Sequence, residues 1–236
     1  MRLFLSILVA CLASTSSPHA DEPQKQAAPL VACLEPAVLR TEAAQLLPGS
    51  KKTVIVPAWI NEFGLSRLSK KEFAATSLRW EQFLTQAAVA AAAHLKTMEP
   101  EIHRDAKNVA QYAVLKSESH LTASVVLCPE FFAQFREIFG DRLVVLVPDR
   151  FTVYVFPRGF TDFQTMGPAI LEKHAKSVWP CSEEAFEITA DGLRCLGAFV
   201  PDDGKLAPAA KSAPEKPAAK PAGSKPAPPA KRAKKP

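Results

Sequence analysis

Apolar positions along the chain fall into three regimes. Residues 3–13 are an apolar stretch with no charge, residues 36–200 mix apolar and polar positions with helix or strand period, and residues 201–236 have no apolar period. The middle regime predicts the globular part. Val38, Ala43, Leu46 and Leu47 predict a short helix stopped by Pro48-Gly49. The β-branched run Thr53-Val54-Ile55-Val56 predicts a strand ended by Pro57. Ser69 with Glu72 is a capping-box pattern ahead of Phe73. A stripe of Trp80, Leu84, Ala87, Ala91, Leu95 and Met98 then recurs at helical spacing and predicts the central packing helix, ended by Pro100. Its alanine turns allow close approach to a neighbouring element.

The second half reads as strands and short helices. Strands are predicted at 112–115 and 121–128, then a helix from Pro129 through Phe131, Phe132, Phe135, Ile138 and Phe139 to Gly140. Residues 143–147 and 151–156 predict a hairpin around Pro148-Asp149-Arg150. Val153 and Val155 face one way there, Tyr154 and Phe156 the other. Pro168 is expected to begin a helix carrying Ile170, Leu171, His174 and Val178. A last hairpin joins 186–189 to 193–196 through Asp191-Gly192. Strands arriving in neighbouring pairs, with helices before, between and after them, predict one α+β domain: a mainly antiparallel sheet with helices packed on one face.

The two ends carry different information. Arg2, the apolar stretch and the segment ending Pro18-His19-Ala20 have the order of a cleavable export signal over residues 1–20. The stretch is shorter than the roughly 20 residues a bilayer span needs. Leu8-Val9-Ala10-Cys11 also resembles a lipoprotein box, which would anchor the protein by a lipid at Cys11. Export predicts a periplasmic or extracellular protein. Residues 21–35 read as a flexible lead-in. From Lys205 onward nine Lys/Arg face one acid, a net +8 against +5 for the whole chain, which leaves −3 for residues 1–204. The basic character therefore belongs to the tail. Residues 201–236, rich in Lys, Pro and Ala, are expected to be disordered, because they cannot bury enough apolar surface to offset ordering. Outside the cytoplasm, Lys231, Arg232, Lys234 and Lys235 would contact anionic lipid headgroups, glycopolymers or an acidic protein.

Without Cys11, four cysteines remain: Cys33, Cys128, Cys181 and Cys195. In an exported chain they predict disulfides, with Cys181–Cys195 and Cys33–Cys128 favoured among three connectivities; the alternative is four buried free thiols. No pair has C-x-x-C spacing, and the chain has no G-x-S-x-G elbow, P-loop or dinucleotide fingerprint. No cofactor is expected. His94, Glu99, Glu101, His103 and Asp105, with His120 more distant, could be proposed as metal ligands. They lack a ligand spacing and read better as a solvated loop. Arg150 and Arg158 flank a hairpin strand and are candidates for binding an anion. Trp59, Trp80 and Trp179 read as packing residues rather than a sugar platform.

The segments "LSRLSKKEFAATSLRWEQFLTQAAVAAAAHL", "LTASVVLCPEFFAQFREIFGDRLVVLVPDRFTVYVFP" and "FEITADGLRCLGAF" resemble the YtpQ-like family of bacterial proteins of unknown function. Gly140-Asp141 and Pro148-Asp149-Arg150 fill the family's Gly-Asp turn and Pro-x-Arg hairpin, over residues 48–200 or thereabouts. An export signal, four cysteines and a basic tail are departures from the family. The resemblance implies an α+β fold and brings no catalytic residues.

Together these features predict a non-enzymatic exported envelope protein, whose domain binds an unknown protein or ligand and whose tail is an electrostatic tether. The alternatives are an envelope hydrolase with a dispersed active site and a nucleic-acid-binding protein acting through the tail. Nucleic acid is the less expected partner, because it would require a cytoplasmic chain.

Overall fold

The computed structural model describes residues 29–61 and 64–199. The export signal, Cys11 and the basic tail, with Lys231, Arg232, Lys234 and Lys235, lie outside them. In the first sheet β3 (Thr53–Asn61) is central. It pairs on one edge with β1 (Leu30–Pro36), and on the other with β2 (Gln45–Leu46) and β4 (Gly64–Arg67), all antiparallel.

The first sheet departs from expectation at three places. The lead-in does not extend through residue 35, because residues 30–35 form a strand buried on both faces. Such a strand reads as a continuous apolar run without alternation. The helix expected at 36–47 is a 3-10 turn, Ala37–Leu39, followed by β2, whose backbone completes the ladder on β3. Pro57 does not end β3. Its carbonyl accepts from the Leu68 N–H (2.8 Å) on the second edge, where β2 pairs with Val54 and Ile55 and β4 begins at Ala58. The missing proline donor points to that same edge, just outside the paired residues of β2 and β4.

The second sheet has β5 (Glu101–Arg104), β6 (Ala110–Lys116), β7 (Leu143–Asp149), β8 (Thr152–Pro157), β9 (Glu184–Thr189) and β10 (Gly192–Ala198). Their order is β10-β9-β7-β8-β6-β5, and each neighbouring pair is antiparallel. Residues 121–128 do not join it. They form a 3-10 helix, Ala123–Leu127, with Ala123, Ser124, Val125 and Val126 all buried. Both edges of β6 are already taken by β5 and β8, and an apolar run buried all round has no period by which to tell strand from helix.

Four helices complete the described residues: α1 (Lys70–Ala75), α2 (Trp80–Leu95), α3 (Pro129–Phe139) and α4 (Phe163–Lys176). The capping box forms, with Glu72 N–H donating to Ser69 Oγ (3.3 Å) and Ser69 N–H to the Glu72 carboxylate (2.8 Å). On α2 the predicted Ala87, Ala91 and Leu95 are buried, joined by Phe83. Helix α4 starts at Phe163, five residues before the expected Pro168, because Phe163 is buried against Phe156 with ring centroids 5.0 Å apart.

The α+β class holds, and alternation along β7 and β8 distributes the helices. Val145, Val147, Val153 and Val155 share the main core with Phe131 and Phe135 of α3 and with α2. Val144, Leu146 and Phe156 face the other way and pack with Phe163 and Ile170 of α4. Thus α2 and α3 lie on one face and α4 covers the other, which corrects the expectation of helices on a single face.

Gly49 closes the turn before β3 at φ +77°, where an added Cβ would lie 3.3 Å from the Cys195 carbonyl oxygen. Gly49→Ala is expected to lose about 1–2 kcal/mol, the cost of a left-handed conformation for an L-residue. A shifted urea midpoint with unchanged slope would report it; an unshifted one would show that this turn relaxes freely.

Candidate functional site

The two sheets are joined through polar groups rather than through apolar packing alone. Glu184, on β9, is almost fully buried and accepts from Ser50 Oγ (2.5 Å), Thr53 Oγ1 (2.7 Å) and the Lys51 N–H (3.0 Å). Burial pushes its carboxyl pKa up, but these hydrogen bonds outweigh burial and hold it below the usual carboxylate value. Ser182 and Thr53 extend the network, with hydroxyls 2.6 Å apart.

Beside this seam lies a cleft of about 400 Å³. Pro36, Ala37 and Val38 form one wall and residues 180–183 the other, with Lys51, Lys52 and His174 also lining it. Glu183 pairs with Lys52 (3.0 Å) and sits 3.8 Å from His174 Nδ1. Val38 is 87 % exposed. The arrangement is an apolar concavity with ionic groups at its mouth, suited to holding a ligand of mixed polarity.

Beneath it, Glu35 of β1 lies between two guanidiniums. It pairs with Arg150 and with Arg67 Nη2, the latter at 2.7 Å. Arg150 is buried and lies over the Trp179 ring, 4.5 Å from its centroid. The expectation of Arg150 as an anion-binding turn residue is corrected: its charge is spent on Glu35. Arg150 and Arg158 also lie beyond opposite ends of the six-residue β8, itself about 20 Å long at the usual strand rise, so they cannot meet one anion. His120 sits against Phe151 and Trp179. Burial and the Arg150 charge lower its pKa, which keeps the ring neutral, and its buried Nδ1 has no partner among the described residues.

Arg158 belongs to a different cluster, at the other end of β7. Glu187 of β9 is fully buried and accepts from Arg142 Nε and Nη2 (2.9 and 2.6 Å) on one oxygen and from Arg194 Nε and Nη2 (2.9 and 2.5 Å) on the other. Arg158 Nε stands 3.4 Å away. Burial raises the Glu187 pKa; the Arg194 and Arg142 hydrogen bonds and charges overcome it and hold the group below its ordinary value. Sequence reading missed Glu35, Glu184 and Glu187. Only the Glu187–Arg194 pair had a local signal, because the two face each other across the last hairpin.

All four described cysteines are buried free thiols, so neither favoured disulfide forms. Cys195 pairs with Phe186 on β9, several extended residues along the chain from Cys181, beyond the reach of a disulfide. Burial pushes Cys33 up to about 12 and Cys128 and Cys195 up to about 11, and raises Cys181 well above the usual value. These thiols stay protonated and unreactive at neutral pH.

The residues weighed as metal ligands disperse. Glu101 and His103 lie on β5, a strand where a loop was expected, paired with each other (3.0 Å) and with Lys116 (Glu101, 3.2 Å). Asp105 caps the following turn, and His94 bonds Thr122 from α2. Among the described residues no three His, Cys, Asp or Glu come together as a metal site. Trp59 and Trp80 pack on the main core, whereas Trp179 is 41 % exposed beside Arg150. No described helix is long and apolar enough to cross a membrane. No protein-family model, curated protein or solved structure matches the chain. The resemblance to the YtpQ-like family rests on its quoted motifs alone.

Proposed function

We propose that this chain is an exported envelope protein whose α+β domain is a binding module and whose basic tail tethers it to anionic envelope material. The observation that carries the binding reading is how the buried polar groups are employed. Glu35, Glu184 and Glu187 are saturated by donors, and the thiols are held protonated by burial. Groups committed in this way build rigid scaffolding, not a general base or nucleophile poised near neutral pH. The cleft between residues 36–38 and 180–183 is then the surface such a scaffold presents.

In this reading the four thiols remain unpaired after export, because each is buried as a free thiol in the fold. Intact mass of the native protein, with and without thiol alkylation under denaturing conditions, tests the chemistry. A chain starting after Ala20 with four alkylated cysteines is the expected species. A chain starting at Met1 and recovered from cytosol would overturn export, and a mass increment at Cys11 would replace free export by lipid anchoring.

The tether has its own readout. Each Lys or Arg near an anionic surface contributes about 1 kcal/mol, screened by salt. Deleting 205–236 is therefore expected to weaken binding to phosphatidylglycerol vesicles by at least about tenfold in 0.1 M salt. Retention unchanged by the deletion, or by 1 M salt, would remove the tether from the proposal.

A further inference from the structure

We propose that Arg142, Arg158 and Arg194 form a binding site for a dianionic phosphoryl group, such as inorganic phosphate or a phosphate monoester. The site goes beyond the cleft and the tail and depends on neither. Two strand ends and the β9–β10 ladder assemble it. Arg142 immediately precedes β7 and Arg158 immediately follows β8, and the Arg158 N–H donates to the Arg142 carbonyl (3.0 Å) across the open end of that hairpin. Arg194 lies opposite Glu187 in the β9–β10 ladder, and Glu187 lies opposite Val144 of β7. The register thus brings the three side chains to one place on the α4 face of the sheet.

Glu187 holds them there and leaves capacity over. Its oxygens take the Nε and Nη2 groups of Arg142 and Arg194, so both guanidiniums are oriented before any ligand arrives. Their Nη1 groups, and the whole Arg158 guanidinium, make no hydrogen bond among the described residues. The three side chains are 55, 45 and 63 % exposed for Arg142, Arg158 and Arg194, against 0 % for Glu187. Three positive charges meet one negative charge, an excess of two. The nearby Asp141 is turned to Arg136 (3.2 Å). Guanidinium forks match the oxygens of a tetrahedral phosphoryl group, and a dianion balances both the spare charge and the spare donors.

The test titrates inorganic phosphate, and separately diethyl phosphate, into the full chain at fixed ionic strength while following the arginine Nε–H resonances. Phosphate is expected to move the Arg142, Arg158 and Arg194 signals along one saturable curve, at least about tenfold more tightly than the singly charged diester. Arg158→Gln should weaken phosphate by about tenfold with an unchanged melting temperature, and Arg136→Gln should not weaken it. Should Arg158→Gln fail to fold, Arg194→Lys, which keeps the charge and loses the fork, must show the same loss. Glycerol 3-phosphate and phosphatidic acid vesicles separate the two sources of the group. A loss with Arg158→Gln on either one supports the site and names its source. Unmoved resonances, equal binding of the diester, or equal sensitivity to Arg136→Gln would overturn it.

Discussion

Glu35→Ala is expected to lower stability by about 3–5 kcal/mol, the cost of leaving a buried charge without its partner. Glu35 is 1 % exposed, and the Arg150 guanidinium that it neutralises is buried against the Trp179 ring. Arg67, one-third exposed, can turn to water; Arg150 cannot. For a domain of this size the loss corresponds to a melting temperature lower by roughly 6–20 °C. The double variant Glu35→Leu with Arg150→Met should recover most of it, since an apolar pair of similar volume avoids desolvating either charge. Urea unfolding of the single and double variants at pH 7 decides the matter. A single-variant loss below about 1 kcal/mol would mean that water reaches the pair.

The second large effect belongs to Glu184. Glu184→Ala removes the acceptor of two buried hydroxyls, Ser50 and Thr53, at about 1–3 kcal/mol each, so a loss of about 2–6 kcal/mol is expected. The pH dependence has a definite sign. Glu184 and Glu187 both have pKa values lowered in the folded state, so the native protein favours their ionised forms. Their contribution is complete above the unfolded carboxyl pKa of about 4.3 and is lost as pH falls through the lower folded value. The stability gap between wild type and Glu184→Gln should therefore be widest at pH 7 and narrow on acidification below pH 4. A gap that widened in acid would contradict the ionised assignment. Because Glu184 joins the seam between the sheets, its loss is also expected to loosen the cleft that residues 36–38 and 180–183 enclose.

Both effects rest on contacts that sequence reading could not see. Glu35 and Arg150 are 115 residues apart, and Glu184 and Ser50 are 134 apart. Nothing local to either partner announces the other. Glu187 was closer to view. A two-residue turn at Asp191-Gly192 would pair Glu187 with Leu196, whereas the observed turn is one residue earlier, with Thr189 opposite Gly192 and Glu187 opposite Arg194. Moving the turn by one position slides the pairing by two, so the expected register put Leu196 rather than Arg194 directly opposite Glu187.

What the chain alone determined was whatever depends on neighbours within a few residues. The capping box at Ser69, the alanine stripe of α2, the proline start and glycine stop of α3, and the alternation of Val153 and Val155 against Tyr154 and Phe156 all follow from local periodicity and capping. The tertiary structure decided what depends on which edge or face is already occupied. It placed β1 between covered faces, turned residues 123–127 into a 3-10 helix where both edges of β6 were taken, and buried four thiols without joining any two of them. It also set three carboxylates among arginines and hydroxyls drawn from distant strands. Burial and long-range charge pairing are properties of the assembled chain, and a buried carboxylate is stable only where the fold brings its donors.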